Sequence, residues 1–192
     1  MKKLVIILLL AGITIPAMAQ ENEKETKEMG RIEFCKKNYT VLFGGEALTG
    51  QGTDPEFMDI LQKFIFGEVF AVGDLDYKTR ELITCTILAV MQTLPQLTAH
   101  AGAALNVGVT PVELREAIYQ CAPYIGFPKT LNAVAVINEV FKERGIALPL
   151  EAQGTVTEDN RAEKGAAIQQ PLYGDAVAHK MSGVPGGMGD EV

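Results

Sequence analysis

Two residues of the types that transfer protons, Glu81 and His100, stand nineteen positions apart in the chain. A predicted helix that begins at Asp76 carries Glu81, and a second helix that opens near Pro95 carries His100, with a short break at residues 93–94. Because imidazole takes and gives a proton near neutral pH and a carboxylate fixes its tautomer, this pair could act as an acid/base unit. The alternative is that His100 is a hydrogen-bonded core residue and Glu81 a solvated helix residue.

The segments on either side of this hairpin are also predicted to be helical. Upstream, helical spacing of apolar residues runs from Gly30 to Phe43, and Asp54 and Pro55 open a further helix. Two sets of residues are expected to face a core. They are Phe57, Ile60, Leu61, Phe64 and Ile65 in the second helix, and Leu82, Ile83, Ile87, Leu88 and Met91 in the first helix of the hairpin.

Downstream of the hairpin, residues 110–113 read Thr-Pro-Val-Glu, a capping box with proline at the first helical position. Another helix is predicted over about residues 130–144, and Gly145 ends it. The sequence contains neither an Asn-Gly hairpin signal nor a long alternating apolar pattern. We therefore predict an all-α domain.

Residues 1–19 have the pattern of a secretory signal peptide. Lys2 and Lys3 precede an apolar run that is too short to span a membrane, and Ala17 and Ala19 suit cleavage before Gln20. The alternative is an uncleaved signal anchor. We expect an exported, periplasmic protein with no membrane segment after cleavage.

The remaining chain has the length of one ordinary domain. We expect a flexible leader at 20–30, a helical domain at 31–145, a linker at 146–160, and a C-terminal helix with a disordered tail at 161–192. In both 31–48 and 161–177 an arginine precedes the glycine of an aromatic-Gly pair by thirteen residues. The second segment is either the vestige of a second copy of the domain or a coincidence between two short helices.

Charge and cysteine content restrict the partners. The chain has 17 basic and 24 acidic residues and a net charge of −7, and its lysines and arginines do not cluster, so nucleic acid is not an expected partner. A small-molecule substrate and further copies of the chain are the expected partners. Cys35, Cys85 and Cys121 form no CxxC pair, and we expect buried thiols, with one disulfide at most.

Five segments between residues 57 and 145 carry a resemblance to a known family. They read FGEVF, LDYKTRELI, QLTAH, ALNVGVTPVELREAI and YIGFPKTLNA, in this order. The chain resembles the carboxymuconolactone decarboxylase family, whose wider group includes the alkyl hydroperoxidase D type. The resemblance implies a compact helical bundle of the hydroperoxidase D type. It also implies protomers that assemble into trimers or hexamers, and a site near Glu81 and His100.

The resemblance offers two chemistries, of which one needs thiols. In the thiol-dependent peroxidase branch a glutamate is followed nineteen residues later by a histidine, and a CxxC pair ends four residues before that histidine. Here Thr93 and Gln96 occupy the two thiol positions, and neither side chain can attack a peroxide or close a disulfide. Cys85, one turn after Glu81, is the remaining candidate thiol. The peroxidase interpretation is therefore the disfavoured alternative.

The decarboxylase branch needs neither a thiol nor a metal, so no cofactor and no metal site are expected. Loss of carbon dioxide requires a proton donor, a group that orients it, and partners for the substrate's oxygens. The resemblance implies His100 as the acid and Glu81 as its orienter. Arg80, Gln96 and Thr93 are the expected substrate-binding residues, although Arg80 could equally pair with a neighbouring acid.

Two features separate this chain from the family's pattern. After FGEVF the family usually has an arginine in the next loop, whereas residues 71–74 here are Ala-Val-Gly-Asp. An exported protein would also not meet the cytoplasmic intermediate after which the family is named. We therefore expect decarboxylation, or a related lactone or keto-acid reaction, on a small carboxylated substrate of another kind. A noncatalytic, oligomeric small-molecule-binding protein is the alternative from a different class.

Overall fold

The computed structural model describes residues 29–47, 50 and 52–174. The expected signal peptide, most of the leader and the tail from residue 175 lie outside the described residues. The described chain divides into two compact units, one up to Leu150 and one from Glu151. The hairpin that carries Glu81 and His100 belongs to the first unit.

The described residues are helical and contain no strand, which confirms the all-α prediction. The elements are α1 (Arg31–Phe43), α2 (Pro55–Gly67), a 3₁₀ turn (Val69–Ala71), α3 (Tyr77–Met91), α4 (Leu94–Asn106), α5 (Pro111–Tyr119), α6 (Ala122–Ile125), α7 (Phe127–Glu143) and, in the second unit, α8 (Arg161–Tyr173). None of these helices combines the length and apolar character needed to cross a membrane.

Helix α7 begins at Phe127, earlier than the predicted start near residue 130. Pro128 lies in its first turn, where a missing N–H breaks no intrahelical hydrogen bond. Pro128 therefore belongs to the helix.

The predicted helix starts at Asp76 and Thr110 are both present. The Asp76 carboxylate accepts a hydrogen bond from the Thr79 N–H at 2.7 Å and so caps α3. At the start of α5, the Thr110 hydroxyl accepts from the Glu113 N–H at 3.2 Å, while the Glu113 carboxylate accepts from the Thr110 N–H at 2.8 Å. These contacts form a complete capping box.

The break between α3 and α4 is held by Gln92. Its φ of 59° is in the left-handed region, which residues other than glycine seldom adopt. The Gln92 side chain donates to the carbonyls of Ala89 at 2.6 Å and Lys129 at 3.0 Å, and accepts from the Asn132 amide at 2.8 Å. Contacts with α7 thus stabilise the turn that sets α3 against α4.

Helix α4 contributes to both hydrophobic clusters of the first unit. Its Leu97, Ala101 and Ala104 join a cluster built from α3, α5 and α7, and its Ala103 joins a second cluster built mainly from α1 and α2. Three small side chains of α4, those of Ala101, Ala103 and Ala104, are almost fully buried. The helix that carries His100 is therefore held between the two clusters.

The predicted inward face of α3 is wrong at three of its five residues, whereas Leu82 and Leu88 pack against the hydrophobic cluster as predicted. Ile83, Ile87 and Met91 are exposed, whereas Glu81, Cys85 and Ala89 are buried. Cys85 and Ala89 join α4's Ala101 and Ala104 in one cluster, so the tightly packed face of α3 carries its small residues rather than its large ones.

The predicted apolar stripe of α2 is likewise wrong at three of its five residues, whereas Leu61 is partly buried and Ile65 packs against the second cluster. Phe57, Ile60 and Phe64 are 63%, 60% and 57% exposed. Helix α2 packs against α1 through its opposite side, which buries Gln62 and Phe66. Three large apolar side chains of this helix are thus left at the surface of the protomer.

The exposed apolar side chains of α2 and α3 support the prediction of a homo-oligomer, because large exposed apolar patches are uncommon on monomeric proteins. Light scattering at micromolar concentration should give the mass of several chains, three or six if the family resemblance holds. Ile87→Glu should lower that mass if the exposed face of α3 is covered by another copy. Lys142→Glu, which adds negative charge at an exposed position of α7 without removing apolar area, is the control. The mass of a single chain for the wild-type protein would contradict the prediction.

The capping box of α5 should make stability depend on pH. Hydrogen bonds from Lys78, from the Thr110 backbone and from the Thr110 hydroxyl lower the pKa of Glu113 from 4.5 to about 2. Because the folded-state pKa lies below the unfolded one, the stabilisation is present above pH 4.5 and is lost as the pH falls towards 2.

We therefore expect the free energy of unfolding of the wild type to exceed that of Glu113→Gln at neutral pH, and the difference to shrink between about pH 4.5 and 2. The glutamine retains an oxygen for the Thr110 N–H, so the comparison isolates the charge. Urea titrations at several pH values measure it. A difference that does not change over this pH range would contradict the expectation.

Candidate active site

The structure brings Glu81 and His100 into direct contact. Glu81 Oε2 lies 2.7 Å from His100 Nδ1, and the two side chains are 1% and 23% exposed. An ionised carboxylate only accepts hydrogen bonds, so Nδ1 carries the proton and donates it. This leaves Nε2 as the nitrogen that exchanges protons with another molecule, as an acceptor in neutral imidazole and as a donor once the ring is protonated.

Each partner is positioned by the packing of its helix. Glu81 begins the buried face of α3 that continues with Cys85 and Ala89, so its carboxylate is directed towards α4. The far end of α4 is fixed by Asn106, which donates to the Leu42 carbonyl at 2.7 Å and accepts from Arg144 at 2.8 Å. His100 therefore lies on a helix that contacts with α1 and α7 hold in place.

The structure adds one residue to the site that the sequence analysis did not select. The centre of the Phe43 ring lies 5.4 Å from the centre of the His100 ring, and the two ring planes are 80° apart. This is an edge-to-face contact. Phe43 is the last residue of α1, and the left-handed Gly44 ends that helix. The sequence signal was only an aromatic residue before a helix-ending glycine, and nothing local connects it with His100.

Arg80 is occupied by the loop that precedes α3. Its Nε donates to the Leu75 carbonyl at 3.0 Å and its Nη2 to the Val72 carbonyl at 2.8 Å, while its Cζ lies 4.9 Å from the centre of the Phe70 ring. Arg80 also lines a cavity of about 90 Å³ to which neither Glu81 nor His100 contributes. The structure therefore does not bring Arg80 together with the pair, and its binding of a substrate carboxylate stays a prediction.

Gln96 and Thr93 precede His100 by one and two turns of α4, so all three lie along one side of the helix. Gln96 is exposed, and no hydrogen-bond partner for its amide occurs among the described residues. Thr93 is half-buried at the first position before α4, and its hydroxyl donates to the Leu88 carbonyl at 3.4 Å. Gln96 is thus the more available hydrogen-bonding group of the two.

The cysteines are free and buried, as the sequence predicted. Burial, together with the negative charge of Glu81, raises the pKa of Cys85 to about 12, so this residue is a thiol at neutral pH. Burial likewise raises the pKa of Cys35 and of Cys121. A thiolate nucleophile is therefore not favoured at any of the three positions.

Histidine, cysteine and carboxylate side chains do not gather into groups of three that could hold a metal ion within the described ranges.

The chain matches known proteins through the region that carries the pair. The family model described as "Carboxymuconolactone decarboxylase family" matches residues 55–139. This range includes α2 to most of α7, with both Glu81 and His100, and excludes α1.

Three relatives are similar to the chain. The 4-carboxymuconolactone decarboxylase of Acinetobacter baylyi is 37% identical over 92 residues, 48% of this chain and 69% of that protein. The nitrosuccinic acid decarboxylase of Metarhizium robertsii is 29% identical over 44% of this chain and 59% of that protein. An uncharacterised 15.0 kDa protein of Paracoccus denitrificans is 34% identical over 44% of this chain and 64% of that protein.

The alignments span between 59% and 69% of these relatives' lengths. Because the family model matches the region that holds the buried Glu81–His100 pair, and the Acinetobacter relative is 37% identical over 69% of its own length, the chain belongs to the carboxymuconolactone decarboxylase family.

Proposed function

We propose that this protein is a decarboxylase-type enzyme that uses acid/base chemistry on a small carboxylated substrate, by decarboxylation or a related lactone or keto-acid reaction. The observation that carries the proposal is the 2.7 Å hydrogen bond between the buried Glu81 carboxylate and His100 Nδ1. Two of the three relatives are named as decarboxylases, one of a lactone and one of a nitro acid, which supports the same reaction class.

The pair meets the main chemical demand of such a reaction. When a carboxylate leaves as carbon dioxide, the electron pair of the broken carbon–carbon bond stays on the substrate, delocalised onto neighbouring oxygen atoms. A proton must then be delivered to carbon. Protonated His100 supplies it from Nε2, and the Glu81 carboxylate stabilises the imidazolium and holds Nδ1–H in place.

The oxygens that receive the negative charge need hydrogen-bond donors. The Gln96 amide, one turn before His100 and exposed, suits this role, with Thr93 a second candidate further along the same side. This chemistry requires neither a metal nor an organic cofactor. Export to the periplasm is part of the proposal, since residues 1–19 have the pattern of a signal peptide.

The substrate is proposed to differ from carboxymuconolactone. No arginine occurs in the loop at residues 71–74, and the Nε and Nη2 atoms of Arg80 donate to the carbonyls of Leu75 and Val72. A substrate with fewer carboxylates would need fewer cations near the pair. A substrate panel should therefore include nitro acids and β-keto acids besides 4-carboxymuconolactone.

We expect His100→Ala to lower kcat by roughly 10²- to 10⁴-fold on any substrate that the panel identifies, because the proton donor is lost. Glu81→Gln should lower it less, since the amide oxygen still accepts from Nδ1 but carries no charge to stabilise the imidazolium. Carbon dioxide release measures both.

Two matched controls accompany these variants. His179→Ala removes the chain's other histidine, and Glu139→Gln neutralises an exposed carboxylate of α7. Both should keep wild-type activity. An active protein that tolerates His100→Ala would place the site elsewhere, and a protein that binds these acids without turnover would favour the noncatalytic alternative.

A thiol-dependent peroxidase would need a reactive cysteine, and we expect this protein to lack one. Cys85 is buried with its pKa raised to about 12, so the native protein should react slowly with a thiol reagent such as dithionitrobenzoate. Unfolding in guanidinium should release all three thiols of the chain. Replacing the three cysteines with serine or alanine should leave decarboxylation unchanged. Thiol-dependent consumption of peroxide that Cys85→Ser abolishes would overturn the proposed function.

A further inference from the structure

We propose that α1, which precedes the region shared with the family model, is part of the active site, and that Phe43 is a positioning residue for His100. Phe43 holds the plane of the imidazole so that Nε2 keeps one direction. The catalytic consequence rests on the proposed function, whereas the effect on the ring itself does not.

The hydrogen bond to Glu81 restrains the imidazole only in part. It fixes the position of Nδ1 but allows the ring to rock about the line that joins Nδ1 to Oε2. The ring of Phe43, at 5.4 Å and nearly perpendicular, lies where such rocking would disturb a favourable edge-to-face contact. The two contacts together restrain both the position and the plane of the ring.

Phe43 can act in this way because it is itself held. The centre of its ring lies 4.9 Å from the centre of the Tyr39 ring and 5.8 Å from the centre of the buried Phe66 ring. The end of α1 is closed by the Gly44 N–H, which donates to the Thr40 carbonyl at 2.9 Å. An aromatic residue at the end of a frayed helix could not restrain a neighbour in this manner.

Helix α1 is also bonded directly to the helix that carries His100. The carbonyl of Leu42, the residue before Phe43, accepts a hydrogen bond from Asn106, the last residue of α4, at 2.7 Å. The two helices therefore keep a defined position relative to each other close to the aromatic contact. Movement of the end of α1 away from α4 would require this bond to break.

The test is the mobility of the imidazole, measured by NMR relaxation of its carbon-bound positions in the full-length protein. His179→Ala serves as the background, since it leaves His100 as the chain's sole histidine. In this background Phe43→Leu should lower the order parameter of the His100 ring, and Phe43→Tyr, which retains the ring, should preserve it.

Phe34→Leu is the matched control. Phe34 lies on the same helix and in the same hydrophobic cluster, and it is 2% exposed, but its ring does not pack on His100. This variant should destabilise the protein without changing the order parameter of the imidazole. An unchanged ring in Phe43→Leu would overturn the proposal, as would equal loosening in Phe43→Leu and Phe34→Leu.

Kinetics provide the second measurement. With a substrate that the wild type decarboxylates, Phe43→Leu should lower kcat by roughly 10- to 10²-fold with little change in KM, because a misdirected proton donor affects the chemical step. A wild type that decarboxylates nothing would defeat the proposed function, and the NMR comparison would still decide whether Phe43 positions His100. A normal kcat in Phe43→Leu would overturn the positioning role in catalysis.

Discussion

The hydrogen bond between Glu81 and His100 is the interaction on which the rest of this domain depends. A carboxylate that is 1% exposed has lost its contacts with water, and removing one partner of such a buried pair typically costs about 3–5 kcal/mol. The imidazole at 2.7 Å offsets part of that loss of hydration. Any arrangement of α3 and α4 that separated the two side chains would leave a charge buried without a partner.

This requirement explains the composition of the hairpin. Side chains on two helices reach each other at hydrogen-bonding distance only if the helices approach closely, and small residues permit that approach. Cys85 and Ala89 on α3 and Ala101 and Ala104 on α4 provide them, all without solvent exposure. The same composition that lets the helices pack tightly therefore also brings Glu81 and His100 together.

Polar groups connect the surrounding helices through the second hydrophobic cluster. Asn38 of α1 is fully buried, donates to the Phe66 carbonyl at 2.6 Å and accepts from the Tyr77 hydroxyl at the start of α3. With the Asn106–Leu42 hydrogen bond, these contacts fix α1 against α2, α3 and α4. A segment outside the shared family region is thereby joined to the helices that hold the pair, which is why its last side chain can restrain His100.

The all-helical character of the domain and the starts of two of its helices were determined by the sequence alone. Helix caps at Asp76 and Thr110, and the spacing of Glu81 and His100 on two adjacent helices, depend on backbone hydrogen bonds within a few residues. For the same reason the sequence was sufficient to predict an all-α fold. The resemblance to the family, through motifs in a fixed order, directed attention to Glu81 and His100, which the structure brings into contact.

Only the tertiary structure decided which face of each helix is buried and what surrounds the pair. Apolar periodicity predicted that Ile83 and Ile87 would be core residues, but close packing against α4 selected the small face of α3. The contact of Phe43 with His100 joins parts of the chain whose relation no local pattern encodes. The physical reason is that caps and periodicity act within a few residues, whereas burial and contact depend on the shape of partners that lie far away in sequence.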